Sequence, residues 1–289
     1  MAILALILVT AVWGVTFVQV KDAVAIYPLF AFLGVRFLIA TAVLAPPAWR
    51  RLRGLGAKGA AEAALLGALL GTGYALQTAG LARTTVSGAG FVTGMYVVLT
   101  PLIALAVFRA RIRLAAWVGT AIAIAGLALL SGVHAGSAAG DLLVLAGAAT
   151  YALQIVLMER YAPRYDPLAL TLVEMATACA GLGLVAIALG DLRVPHGRTV
   201  WAALLVTGVF ASALGYLFQS WAQRRLDATR TALLFSLEPV FAGIFGFALA
   251  GDRLGWLGWA GCLVIMAGIV VAEPAAADVL RRLIPAARR

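Results

Sequence analysis

A chain of 289 residues that is 64% hydrophobic and only 12% charged has too few charges to cover a water-soluble surface of its size. Its net charge of +10 is not pooled in one patch or domain, which excludes a nucleic-acid-binding reading. The basic residues fall in small clusters between apolar runs and the mean hydropathy is +1.03, so the chain reads as an integral membrane protein.

Residues 1–20 carry no basic leader and are long enough to cross the bilayer, so they are expected to be a retained first helix rather than a cleaved signal. A span needs about 20 apolar residues. On that length the chain divides at roughly 2–20, 29–46, 62–82, 84–108, 114–133, 141–159, 167–190, 199–223, 228–250 and 254–272. The short connections leave no room for a soluble domain. The tail, with "DVLRRLIPAARR", reads as an amphipathic segment on the membrane surface. Cys179 and Cys262 lie in apolar runs as packing residues. His134 and His196 lie between runs and away from the cysteines, so neither a metal nor a cofactor is expected.

Orientation follows from the loop cations. With the N-terminus in the cytoplasm, Arg50, Arg51, Arg53 and Lys58, then Arg109, Arg111 and Arg113, then Arg160 and Arg164, then Arg224, Arg225 and Arg230, and the tail arginines all fall inside. Only Lys21, Arg83, Arg193, Arg198 and Arg253 fall outside, and Arg36 lies within a span. Both termini are therefore expected in the cytoplasm.

The second half repeats the first. At an offset of 138, Trp13 meets Tyr151, Arg36 meets Glu174 and Pro101 meets Pro239; at 142, Tyr74 meets Tyr216, Gln77 meets Gln219, Trp117 meets Trp259 and Gly126 meets Gly268. Each half holds five spans, and an odd number turns the second copy upside down. The expected fold is an all-α integral membrane protein of ten transmembrane helices in two inverted five-helix repeats. Residues 1–135 form the first, 136–273 the second, and 274–289 a cytoplasmic amphipathic tail. Inverted repeats recur in secondary transporters, with the site near the midplane at their interface.

The stretches "VWGVTFV" (12–18), "FLGVRFLIA" (32–40), "GYALQTAGLARTTVSGAGFVTGMYVVLTPLIAL" (73–105) and "SLEPVFAGIFGFALAGD" (236–252) resemble the EamA-type branch of the drug/metabolite transporter superfamily. The resemblance covers nearly the whole chain. It implies a ten-helix carrier in a bacterial inner membrane, commonly an exporter of small metabolites, amino acids or drug-like solutes. Where many relatives carry Gly-Glu, this chain has Gly251-Asp252, which keeps an acidic helix end.

Several residues could carry transport. Tyr74 and Gln77 share a helix face, and Tyr151 with Gln154 and Tyr216 with Gln219 repeat the spacing. Polar groups are costly against lipid, so these faces turn inward, either as the wall of a solute cavity or as polar contacts between helices. Tyr96 and the deeply placed Trp13 join the cavity candidates, whereas Trp49, Trp201 and Trp256 lie near span ends as interfacial anchors. Arg36 lies about 12 Å below one face and Glu174 about 10 Å below the other, from 1.5 Å per residue. As repeat equivalents they are expected to approach each other. They could lock the packing as an ion pair or hold the two ends of a zwitterion, and Glu174 could instead take a coupling proton. Glu238, before Pro239, is a second coupling candidate. Pro101 and Pro239 mark bends in matching spans. Small-residue pairs (Gly67 with Gly71, Gly90 with Gly94, Ala115 through Gly119 to Ala123, Gly246 with Ala250) offer faces for close helix contact.

The leading expectation is a carrier of a small organic solute in the lipid bilayer, with protons as a possible coupling ion and no nucleic-acid partner. A membrane-embedded enzyme would need a cluster of nucleophile, base or metal ligands at membrane depth, and none is evident. A non-transporting membrane protein is the third reading, and it leaves the intramembrane charges and the doubled polar faces unexplained.

Overall fold

A computed structural model describes residues 1–84, 86–131, 137–245 and 255–272. Among them the regular structure is helical throughout: α1 (Ala2–Ile26), α2 (Leu29–Ala48), α3 (Gly56–Leu81), α4 (Val86–Gly94), α5 (Tyr96–Phe108), α6 (Leu114–Ser131), α7 (Ala138–Tyr161), α8 (Pro167–Ala188), α9 (Arg198–Leu205), α10 (Gly215–Gln223), α11 (Ala228–Phe235), α12 (Leu237–Phe245) and α13 (Trp256–Ala272). A π-helical segment, Val206–Leu214, joins α9 to α10 in one continuous rod. Among the described residues, seven such helical stretches are long and apolar enough to cross a membrane, and Leu114–Leu130 and Trp256–Ala272 are shorter apolar helices. The tail 274–289, His134, the Gly246/Ala250 pair and Gly251-Asp252 lie outside the described residues.

Local chemistry sets the helix ends. Asp166 caps α8 by accepting from the amides of Leu168 and Ala169 at 3.0 and 3.3 Å, with Pro167 in the first helical position, where its missing N–H costs nothing. Asp227 caps α11 through the Arg230 amide at 2.8 Å. The helices of the spans expected over 84–108 and 228–250 are interrupted, as the prolines there suggested, but at Met95 and at Ser236. The breaks lie upstream of the prolines, with Pro101 inside α5 and Pro239 in the first turn of α12.

Close helix contact is made by glycine. A Cβ on Gly119 or Gly268 would strike the other's carbonyl oxygen at 2.5 and 2.6 Å, and Gly126 and Gly261 oppose each other in the same way, so α6 and α13 touch backbone to backbone. Gly67 on α3 lies against the carbonyl oxygen of Glu174 and the Cβ of Thr177 on α8. Gly208 in the π segment lies against the carbonyl oxygen of Arg36 and the Cβ of Ile39 on α2. Gly90, by contrast, has nothing within 4 Å to pack against. Around these seams α1 packs on α10, α11 and α12, α7 packs on α3, α4 and α5, and α2 crosses α8.

Candidate functional site

A cavity lies where α1, α3, α7 and α10 converge, closed on one flank by α4, α5, α11 and α12. It leaves about 60 Å³ for the centres of water-sized molecules, several times what one water requires. Its wall is largely aromatic. Trp13 packs on Tyr216 and Phe235 with ring centroids 5.4 and 4.9 Å apart, and Tyr74 packs on Tyr151 at 5.5 Å and Tyr216 at 6.4 Å. Tyr96 meets Phe235 edge-on.

Two charged side chains reach this wall. Arg36, 2% exposed, donates from Nε to Ser212 Oγ at 2.8 Å and from Nη2 to Tyr74 OH at 2.9 Å, with its guanidinium 4.3 Å from the Tyr74 ring centroid. Among the described residues its Nη1 takes no hydrogen bond. Glu238 accepts from Tyr96 OH at a long 3.5 Å, which leaves its second carboxylate oxygen free in the same sense. The remaining polar groups bind one another. Gln77 donates to Thr93 Oγ1 and accepts from Tyr151 OH, both at 3.0 Å, and Tyr216 OH donates to Tyr74 OH at 3.1 Å. Trp13 Nε1 donates to the Ala211 carbonyl at 2.8 Å, capturing a backbone oxygen of the π segment.

Of the residues singled out from sequence, Trp13, Arg36, Tyr74, Gln77, Tyr96, Tyr151, Gln154, Tyr216, Gln219 and Glu238 line this one space, while Pro101 and Pro239 stand away from it. Two expectations need correction. Glu174 is fully buried but not part of the wall; its Oε1 accepts from Gln154 Nε2 at 2.7 Å, one side chain behind the cavity. Nor do Arg36 and Glu174 pair. Arg36 directs Nε to Ser212 and Nη2 to Tyr74 while Glu174 is turned to Gln154, and the ion pairs among the described residues are Arg51–Asp166 and Arg164–Glu62. Lining residues that sequence reasoning passed over include Thr16, Phe17 and Val20 on α1 and Thr78 and Leu81 on α3. Helical stepping by three, four and seven from Trp13 and from Tyr74 would have found them.

The same stepping from Tyr151 and Tyr216 leads to a closed end. Met158, Ser220 and Gln223 are buried there and do not line the cavity. Gln219 Nε2 donates to Gln154 Oε1 at 3.0 Å and to Gln223 Oε1 at 2.9 Å, and Gln223 Nε2 donates to the Ile155 carbonyl at 2.9 Å. A belt of amides thus shuts one mouth, while the wall runs on toward Val20 and Leu81 at the other.

The EamA-like transporter family model matches residues 1–132 and again 138–272. The chain belongs to that family. It is thereby a member of the drug/metabolite transporter superfamily and a membrane transporter. The transporter is 31% identical over 268 residues to an uncharacterized transporter of Archaeoglobus fulgidus, covering 93% of this chain and 84% of that one. It is 27% identical over 267 residues to YedA, an uncharacterized inner membrane transporter of Escherichia coli, covering 90% and 86%. A solved crystal structure superposes with a TM-score of 0.80 at 20% identity, over 96% of this chain and 98% of that one, a likeness of fold alone.

Proposed function

We propose that the protein is a secondary carrier that moves a small zwitterionic, amino-acid-like or amphipathic organic solute by alternating access. The carrying observation is chemical. Arg36 offers a spare guanidinium N–H and Glu238 a spare carboxylate oxygen to one aromatic-walled space, a complementary pair of poles for an ammonium and a carboxylate. Export is proposed from family likeness alone.

Reciprocal contacts support the reading of two inverted five-helix repeats, 1–135 and 136–273. Trp13 meets Tyr216 as Tyr151 meets Tyr74; Gly67 meets α8 as Gly208 meets α2; Gly119 meets Gly268 as Gly126 meets Gly261. Such an exchange of partners is what a two-fold axis produces, and a residue on the axis meets its own equivalent, as Tyr74 meets Tyr216. The two separate matches of the family model support the same division. With both termini cytoplasmic, the end of the cavity near Val20 and Leu81 lies toward the outside and the amide belt toward the cytoplasm.

The test is a proteoliposome screen of amino acids, nucleosides and cationic amphiphiles, with and without a pH gradient. A zwitterion is expected to be carried. Arg36→Lys and Glu238→Gln should each weaken its binding about ten- to a hundred-fold, from about 1.5–3 kcal/mol per charged hydrogen bond. Unchanged binding in both variants, at normal folded yield, would remove these residues from the site.

A further inference from the structure

We propose that Lys21 and Glu159 are a matched pair of latches, each holding one end of the cavity shut, and that the latch at Lys21 is the weaker. The proposal rests on the alternating-access reading above. The wall toward Val20 and Leu81 is covered at its end, where those residues are 7% and 2% exposed. Just past Val20, Lys21 on α1 donates from Nζ to the Thr84 carbonyl at 3.4 Å, in the turn between α3 and α4. Thr84 Oγ1 donates to Asp141 Oδ1 on α7 at 2.7 Å. The turn is thus fixed to α7, and Lys21 brings α1 onto it.

The same arrangement recurs at the amide end with the charge reversed. Lys21 and Glu159 stand 138 residues apart, the offset that matches Trp13 with Tyr151. Glu159, one helical turn beyond Ile155 on α7, accepts from the Ala228 amide at 3.0 Å, at the start of α11. Ala228 opens α11 as Val86 opens α4, and 142 residues separate them, the offset that matches Tyr74 with Tyr216. The first span of each half therefore ends by holding the turn that joins its third span to its fourth. The charges fit what they meet: a cation on a carbonyl past the end of α3, an anion on a free amide at the start of α11.

The two latches differ in their backing. At the amide end Gln223 also binds the Ile155 carbonyl, so α7 holds α10 as well as α11. Leu81, the residue matching Gln223, has no polar group to place on α1. Among the described residues, Lys21 is the polar hold of α1 on the turn after α3. Its loss should free the Val20 end more than loss of Glu159 frees the amide end.

The experiment needs no solute, so it stands apart from the fate of Arg36 and Glu238 as solute poles. In the full chain with Cys179→Ala and Cys262→Ala, two reporters on the wall are used singly: Thr16→Cys toward the Val20 end and Ile155→Cys toward the amide end. Each is reacted with a membrane-impermeant maleimide in right-side-out and inside-out membrane vesicles. Val194→Cys, exposed and tied to the end of α1 through the bond from Tyr27 OH to the Arg193 carbonyl, marks the side of Lys21. Sidedness is read relative to this mark, so a reversed orientation of the chain neither imitates nor hides the result. Lys21→Met should speed Thr16→Cys labelling several-fold from the side that reaches Val194→Cys and leave Ile155→Cys no faster from the other. Asp141→Ala, which frees from α7 the turn that Lys21 grips, should act in the same direction. Glu159→Met should speed Ile155→Cys from the opposite side, by a smaller factor. Lys21→Arg and Glu159→Gln, which keep a donor and an acceptor, should label close to the parent rate. Unchanged labelling in both Lys21→Met and Asp141→Ala, or equal acceleration from both sides, overturns the proposal; a larger effect of Glu159→Met than of Lys21→Met overturns the ranking of the two ends.

Discussion

From Trp13 the cavity wall continues along α1 through Thr16, Phe17 and Val20; from Tyr151 it runs through Gln154 and Ile155 and stops before Met158. On the third spans the difference is Leu81 against Gln223. Leu81 lines the cavity, whereas Gln223 is bonded to Gln219 and to the Ile155 carbonyl. Two stretches with matching aromatic and amide residues therefore carry the cavity on at one end and close it with amides at the other. What separates the ends is hydrogen bonding among amides, which costs about 0.5–1.5 kcal/mol net per bond to exchange. A gate built from such bonds can open and close without unfolding anything.

The largest expected effect tests whether the halves are equivalent in their packing. Gly67→Val and Gly208→Val each drive methyl groups into a neighbouring backbone, so both should lose about 1–3 kcal/mol or more through overpacking, read as falling folded yield on size-exclusion chromatography in detergent. If one is tolerated and the other ruinous, the correspondence of the two seams fails. Of intermediate size is Gln223→Leu, which gives the amide-closed end the residue that lines the other. Loss of its two bonds should shift the balance between closed and open forms by about 1–3 kcal/mol, roughly five-fold or more, measured by thiol labelling from the two sides of the membrane. Unaltered labelling would mean that the amide belt does not govern the mouth. The smallest concerns Arg51→Ala. The Arg51–Asp166 pair is half-exposed, so its removal should lower thermal stability by no more than about 1 kcal/mol. A larger loss would show that this turn anchors α8 and not merely its surface.

Much of the site could be read from residues alone, because polar side chains in apolar runs have few places to go. Tyr74, Gln77, Tyr151, Gln154, Tyr216 and Gln219 were marked by composition and spacing, and they meet around one space. The pairing of Arg36 with Glu174 failed because matching spacing does not fix contact: Arg36 finds Ser212 and Tyr74, Glu174 finds Gln154, and of the matched residues it is Tyr74 and Tyr216 that touch. The helix breaks escaped for a different reason. Prolines drew attention to residues 101 and 239, yet the helices part at Met95, which carries no local signature, and at Ser236, where a serine ahead of Glu238 and Pro239 is a helix-start signal. Nor does the sequence reveal which end of the cavity the amides close, since that depends on which neighbours Gln219 and Gln223 find in the packed fold.

The π-helical segment keeps a register. Gly67 and Gly73 are six residues apart and Gly208 and Gly215 seven, yet Gly67 meets α8 as Gly208 meets α2, and Gly73 meets Tyr151 as Gly215 meets Trp13. The second stretch accommodates one residue more between its contacts. In a regular helix such an insertion would turn everything beyond it by about 100°, carrying Tyr216 and Gln219 away from the cavity and toward lipid. The widened turn absorbs it within Val206–Leu214 and leaves the register of α10 intact. It also presents the Ala211 carbonyl to Trp13 and the Ser212 hydroxyl to Arg36. The extra residue is thus confined to one widened turn, and that turn supplies polar contacts that a regular helix, with its carbonyls bonded within the helix, would withhold.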